Sequence, residues 1–397
     1  MSIEIIDILL LLAAAQGFFL AILIIHKHRN LYANRFLAAM LLAYSVLLLY
    51  LFLEELDLAL SWPQFILFIL GIGFIIGPLH YLYTKYLIRH LDRLEKKDLL
   101  HGIPFLIFYS VLLLHFPQLH SLVRVWLERY TEDGLPAPFL IYNWMMAVYS
   151  TVYLALSLYR IMRYARIIRN HFSTIQKMRL DWLRNITLFL AVFLTVYIVE
   201  NILYLNGINL SNYFTLSSTL FAAYIYTLGY LGLFKSEILM LPEVAESMSR
   251  LEKMTVPDSK AGAVSIQKKY DKSGLSPQKA EQFKKTLLAL MEQEAPYRDS
   301  GLTLQQLSEL LHISPHNLSE VINTRLHQNF FDFVNAYRVE KVKKDLADPA
   351  KQNLTMLAIA YESGFNSKTA FNNVFKKHTR MTPSEYRRHL KRRASGS

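Results

Sequence analysis

The sequence predicts an all-α chain: a bundle of seven membrane-spanning helices followed by an all-helical cytoplasmic domain with two helix-turn-helix units. Three observations predict this. Long apolar runs crowd ahead of Phe234, basic loops alternate with loops poor in Lys and Arg, and beyond Pro296 short amphipathic segments each begin at a capping residue. The expected divisions are a membrane domain over 1–234, a linker over 235–295 with a helix at about 277–294, and the double helix-turn-helix domain over 296–393.

Hydrophobic residues are 53% of the 397, and mean hydropathy is +0.22. The net charge of +12 is uneven: 17 Lys and Arg against 13 Asp and Glu precede Lys235 (+4), and 26 against 18 follow from it (+8). A basic C-terminal half points to an anionic partner. There is no cysteine, which excludes disulfides and thiolate metal or redox sites.

A span needs about 20 mostly apolar residues. Seven runs meet this: Ile3–Ile25, Phe36–Leu56, Phe65–Leu87, Leu99–Leu119, Phe139–Met162, Leu183–Leu205 and Tyr213–Phe234. The fourth is weakest, interrupted by Pro104, His115 and Pro117. The first reads as a span and not a cleavable leader, because Glu4 and Asp7 stand where a leader carries Lys or Arg. Loop one holds Lys27, Arg29 and Arg35, and loop three Lys85, Arg89, Arg93, Lys96 and Lys97. Loop five holds Arg160, Arg163, Arg166, Arg169, Lys177, Arg179 and Arg184. Loops two and six hold none, and loop four only Arg124 and Arg129. The positive-inside rule puts the odd loops in the cytoplasm, the N-terminus outside and the C-terminal domain inside.

Polar groups inside the spans are few. Glu200, Asn201 and Asn143 are the signal-sensing candidates, since ionisable and amide groups at membrane depth commonly serve function. The competing reading of Glu200 is an interfacial carboxylate bonded to a neighbouring helix, and the lone histidines His80 and His115 read as packing residues. No HExxH, Gly-rich phosphate loop or G-x-S-x-G occurs, so neither a catalytic role nor a cofactor is implied.

From Lys235 to about Leu275 the pattern weakens around Pro242, Pro257, Gly262 and Gly274. Ser276 and Pro277 then open a helix with Ala280, Phe283, Leu287, Leu290 and Met291 on one stripe. Thr303 and Gln306 form a capping box for a helix that buries Leu304, Leu307, Leu310 and Leu311. Ser314 caps the next, with Leu318, Val321 and Ile322 inward and His316, Asn317, Ser319, Glu320 and Asn323 outward. A longer helix, about Phe330–Leu346, stops at Asp348-Pro349 and spaces a second unit that begins at Thr355. Gly364 suits its turn, Ser367 caps its second helix, and Lys368, Thr369, Asn372, Asn373 and Lys376 face out. Short polar side chains at the starts of such helices suit base edges in a major groove, so His316, Asn317, Ser319, Glu320, Asn323, Ser367, Lys368, Thr369, Asn372 and Asn373 are the base-contact candidates. Lys376, Lys377, Arg380, Arg387 and Arg388 are the phosphate candidates. The alternative for this basic surface is a solvated face or contact with anionic lipid.

These residues carry a resemblance. Leu318–Asn323, Asn329–Arg338, Ala358–Phe365, Phe371–Lys377 and Thr382–Arg387 are similar to an AraC/XylS-type DNA-binding domain, over about Leu302–Leu390. The layout resembles membrane-bound AraC-type regulators with a multispan N-terminal sensor. That resemblance implies a bacterial transcription regulator reading specific DNA through two helix-turn-helix units. The partners it implies are double-stranded DNA, the bilayer, a second copy of the chain on DNA, and an unidentified small-molecule, lipid or protein signal. Two positions depart from the family: His327 and Arg380 stand where glycine usually relieves a left-handed helix end. A transporter or receptor-like protein with a secondary DNA- or lipid-binding tail is the competing class. It has few intramembrane charges and no evident repeat of broken spans in its favour.

Overall fold

The computed structural model describes residues 5–55 except 29, 63–116 except 90 and 92, 118, 121, 137–205 except 177, 211–235 and 275–395. Most of the expected linker, 236–274, and all of 122–136, with Arg124 and Arg129, lie outside the described residues, as do Arg29 and Lys177. The described residues are helical almost throughout and form two compact units.

The first unit takes in Met1–Arg163 and Leu180–Lys253. Its helices are α1 (Ile5–Ile25), α2 (Leu31–Glu55), α3 (Pro63–Arg89), α4 (Ile103–Leu114), α5 (Ala137–His171), α6 (Asp181–Leu205) and α7 (Ser211–Lys235). Helix α1 packs on α2 and α7, α2 on α3, and α6 on α7. Small residues permit the close approach: a Cβ added to Gly17 of α1 would fall 2.1 Å from the Ser45 hydroxyl of α2. Outward faces are apolar instead of polar. Ile8, Leu12, Phe19 and Ile22 on α1, and Val148, Val152, Leu156 and Tyr159 on α5, are all exposed. Helical spacing makes each set one apolar stripe.

Six of these elements are long and apolar enough to cross a membrane, and the described part of α7, Thr219–Phe234, adds a shorter one. The fourth is atypical. A 3₁₀ segment, Lys96–Gly102, leads into α4, which starts with Pro104 in its first turn and is only 12 residues long. At about 1.5 Å per residue α4 is about 18 Å long, so it needs the 3₁₀ segment to match a core of about 30 Å. Helix α3 contains Pro78, which has no N–H for the carbonyl of Phe74 one turn earlier. The Tyr149 hydroxyl of α5 donates to that carbonyl at 3.1 Å, satisfying the group that Pro78 leaves without its helical partner. Near its end, Lys85 is 2% exposed and pairs with Asp98 and Glu95, each at 2.5 Å. Tyr86 donates to Asp98 at 2.7 Å. Burial works to raise the Glu95 pKa, but Lys85 and Lys97 outweigh it and hold the carboxyl down at about 2. One of the cations counted in loop three is thus already neutralised inside the fold.

The second unit takes in Met254–Ser397 and also Tyr164–Arg179, the end of α5 and the segment after it. Its further helices are α8 (Pro277–Gln293), α9 (Leu304–Leu310), α10 (Pro315–Glu320), α11 (Phe330–Ala347), α12 (Met356–Glu362), α13 (Lys368–Thr379) and α14 (Pro383–Ser395). The expected caps form. Ser276 accepts from the backbone N–H of Lys279, Ser314 from Asn317 and Ser367 from Ala370. Thr303 and Gln306 close a capping box, and Thr382 with Glu385 makes another. Two apolar cores result. Leu304, Leu307, Leu318 and Ile322 pack with Phe330, Phe333 and Val334, while Ile359, Phe371, Val374 and Phe375 pack with Val339, Val342 and Leu346. Helix α11 therefore supplies its first half to one helix-turn-helix core and its second half to the other.

His327 (φ 54°) and Arg380 (φ 60°) both adopt the left-handed conformation that their positions at helix ends require. His312 (φ 55°) does the same between α9 and α10, where the second unit has Gly364 (φ 93°). A left-handed non-glycine residue costs about 1–2 kcal/mol, offset in part by the extra chain entropy that glycine loses on folding. His327→Gly and Arg380→Gly are each expected to stabilise the reader unit by about 0.5–1 kcal/mol. Thermal shift of the full-length protein measures this, and a lowered melting point in both would contradict it.

Candidate nucleic-acid interface

Each helix-turn-helix presents one helix. In the first unit His316 is exposed, and Asn317 and Ser319 are partly so, at the start of α10. Glu320 corrects the sequence expectation: it is 9% exposed and does not face out. The helix widens into a π turn, Val321–Arg325, directly after it, and α8 packs on that turn. An α-helical wheel misplaces a residue at such a junction. Asn323 lies within the turn and donates to the Ser319 carbonyl at 2.7 Å and to the Ser319 hydroxyl at 3.2 Å. These two candidates therefore come as a pre-oriented pair.

In the second unit Lys368, Thr369 and Asn373 are exposed on α13, and Asn372 is partly so. Ser367 uses its oxygen to cap the helix, accepting from Ala370 at 3.1 Å, which leaves its O–H as the group still to be offered. Lys376, Arg380 and Arg388 are exposed. Lys377 is exposed too, but pairs with Asp332 of α11 at 2.6 Å, tying the second helix to the first unit's side of α11. Arg387 is a second correction. Its guanidinium is half-buried and donates to the carbonyls of Leu354, at 3.2 Å, and Gln352. It fastens α14 to the turn ahead of the second unit, so its guanidinium already has partners within the protein. Lys391, Arg392 and Arg393, left out of the phosphate candidates, are exposed along α14.

Reading the sequence by helical period did not find the joint between the units. Arg338, on α11, is 1% exposed. Its Nε donates to the Tyr297 carbonyl at 2.8 Å and its Nη2 to the Asp299 carbonyl at 2.8 Å, while the cation lies 6.0 Å from the centre of the Phe365 ring. Burial lowers its pKa to about 10, with Asp299 opposing, so it stays cationic at neutral pH. Gly364 sits against it: a Cβ there would fall 2.3 Å from the Tyr297 carbonyl and 2.9 Å from Arg338 Nε.

Of the signal-sensing candidates, Asn143 accepts from the Tyr197 hydroxyl at 3.0 Å, beside a small cleft lined by both with Trp144, Ala147 and Ile198. Glu200 is buried one turn beyond Tyr197 on α6. The side chain of Asn201 lies outside the described residues. His80 pairs with Thr187 at 3.1 Å in the interior, in keeping with a packing role. Among the described residues no cluster of acids and histidines could hold a metal.

Two facing helices per unit, caps at both reading helices and a basic outer surface define a double helix-turn-helix reader. Residues 307–389 match the helix-turn-helix domain family, and the C-terminus of this chain carries an AraC/XylS-type domain of that kind. An HTH-type transcriptional regulator of Staphylococcus aureus (strain COL) is 36% identical over 86 residues, 22% of this chain and 11% of the relative. The HTH-type transcriptional regulator YijO of Escherichia coli (strain K12) is 32% identical over 104 residues, 25% of this chain and 36% of YijO. A solved protein from Listeria innocua matches at 28% identity over 26% of this chain and 93% of its own, with a TM-score of 0.23. The chain thus spans about a tenth of the staphylococcal relative and about a third of YijO. A helix-turn-helix domain of this class implies DNA binding.

Proposed function

We propose that the chain is a membrane-embedded, one-component bacterial transcription regulator. It binds specific double-stranded DNA through α10 and α13, as a pair of copies, and responds to a signal met in or across the bilayer. One observation carries the reading: a complete double helix-turn-helix reader follows, in the same chain, a set of helices whose outward faces are apolar. The alternation of basic loops supports an outside N-terminus and a cytoplasmic reader. Asn143, Glu200 and Asn201 remain the proposed signal-facing residues, and no cofactor is required.

His316, Asn317, Ser319, Ser367 through its O–H, Lys368, Thr369, Asn372 and Asn373 are the proposed base contacts, with Asn323 acting through Ser319. Lys376, Arg380 and Arg388 are the proposed phosphate contacts. Lys368→Ala is expected to cost about 1–3 kcal/mol on the best sequence and to relax preference at one base pair. Arg388→Ala is expected to weaken all DNA alike and to lower the salt slope by about 1. Binding isotherms of the full-length protein in lipid nanodiscs, on a selected sequence and on random DNA at several salt concentrations, separate the two. The same specificity change in both variants would contradict the assignment. A C-terminal reporter fusion active only outside the cytoplasm would overturn the topology.

A further inference from the structure

The reader unit contains a segment that helix-turn-helix architecture does not need. Beyond the last turn of α5, the Met178 N–H donates to the Ile175 carbonyl at 3.0 Å, and the Tyr164 hydroxyl donates to the Met178 carbonyl at 2.8 Å. Phe172 bridges Thr303, the cap of α9, in antiparallel fashion. The Ser173 N–H and hydroxyl both donate to the Leu302 carbonyl, at 3.2 and 2.6 Å, and Thr174 donates to the Ser300 carbonyl at 2.7 Å. On α11, Asn335 Nδ2 donates to the Ser173 carbonyl at 3.0 Å. Arg338 reaches the same carbonyl at 3.2 Å, and its Nη2 lies 3.0 Å from the Ser173 hydroxyl. Phe172, Ser173, Ile175 and Met178 are buried in this seat.

We infer that Phe172–Met178 is the input contact of the reader, through which α5 and α6 set the relative position of the two helix-turn-helix units. The inference rests on the proposed function above. Arg338 is the hub: it ties the approach to the first unit (Tyr297, Asp299), the turn of the second (Phe365) and the inserted segment to one buried cation. A buried guanidinium that loses part of its hydrogen bonding must move or draw in water, so withdrawal of Ser173 disturbs the joint between the units. Both ends of the segment continue directly into apolar helices, which offers a route to the reader separate from the 236–274 connector. The hydrogen bonds of Ser173 and Thr174 hold the reader's frame together, and the inferred DNA-competent state is this seated one.

The chain has no native cysteine, which makes the contact directly testable in the full-length protein. Antiparallel bridge partners have Cα atoms about 4.5–5.5 Å apart, within disulfide range. Phe172→Cys with Thr303→Cys should form an intramolecular disulfide in isolated membranes under mild oxidant, while either single variant should not. In nanodiscs, the cross-linked protein should bind selected DNA at least as tightly as its reduced form. Ser173→Ala with Thr174→Ala, which keeps the fold but removes the hydroxyl contacts, should bind it about tenfold more weakly, and cross-linking in that background should restore affinity. Wild-type DNA selection with no disulfide, or with undiminished binding by the alanine pair, overturns the inference. A disulfide in a protein whose wild type selects no DNA overturns the functional reading instead, and the regulatory role with it.

Discussion

Gly364→Ala is expected to cost the reader unit more than about 3 kcal/mol and to abolish specific DNA binding by the full-length protein. Two effects add. The residue has φ 93°, a conformation that disfavours any side chain by about 1–2 kcal/mol. The new methyl would also stand 2.3 Å from a backbone carbonyl, that of Tyr297, which belongs to the approach to the first unit. The clash cannot be relieved by rotating a side chain, so the turn of the second unit must separate from Tyr297. His312, the equivalent turn residue of the first unit, provides the contrast. It already carries a side chain at φ 55° and is exposed, so His312→Ala should cost less than about 1 kcal/mol. Thermal shift and DNA binding of the two variants side by side measure the difference, and equal effects would contradict this explanation.

Arg338→Ala is expected to destabilise the same unit by about 2–5 kcal/mol. The substitution leaves the carbonyls of Tyr297, Asp299 and Ser173 without their shared donor inside the protein, and opens a void against the Phe365 ring. Arg338→Lys keeps the charge but not the planar fork that reaches all three, so it should recover less than half of the loss. Full recovery by lysine would mean that charge alone, and not the bidentate geometry, holds the joint. Truncating Lys377, by comparison, removes one exposed ion pair to Asp332 and should shift stability by less than about 1 kcal/mol.

What the sequence made legible was local. Thr303, Ser314, Ser367 and Ser276 cap helices because a hydroxyl two or three residues ahead of a backbone N–H needs only its own neighbours. The helix ends at His327 and Arg380 were singled out only by the resemblance, which has glycine there; the structure keeps the left-handed conformation at both. The apolar runs were legible as helices because roughly 20 apolar residues in a row leave few other structures available. Misreadings arose where the local period breaks or where the partner is remote. Glu320 sits at an α-to-π junction, so its face is not the one that a regular wheel assigns. The weakness of the fourth run was legible from Pro104, but the 3₁₀ segment ahead of it was not. Arg387 finds the carbonyls of Gln352 and Leu354, and Arg338 finds Ser173 across 165 residues; no spacing in the chain announces either.

The most direct test isolates the membrane fraction of cells expressing the full-length protein at native level, cross-links it to DNA and sequences what is recovered. A membrane-embedded DNA reader predicts discrete enriched sites in that fraction, with enrichment at those sites reduced by Lys368→Ala. Enrichment indistinguishable from a strain lacking the protein, or recovery of the sites only with protein released from the membrane, would contradict it.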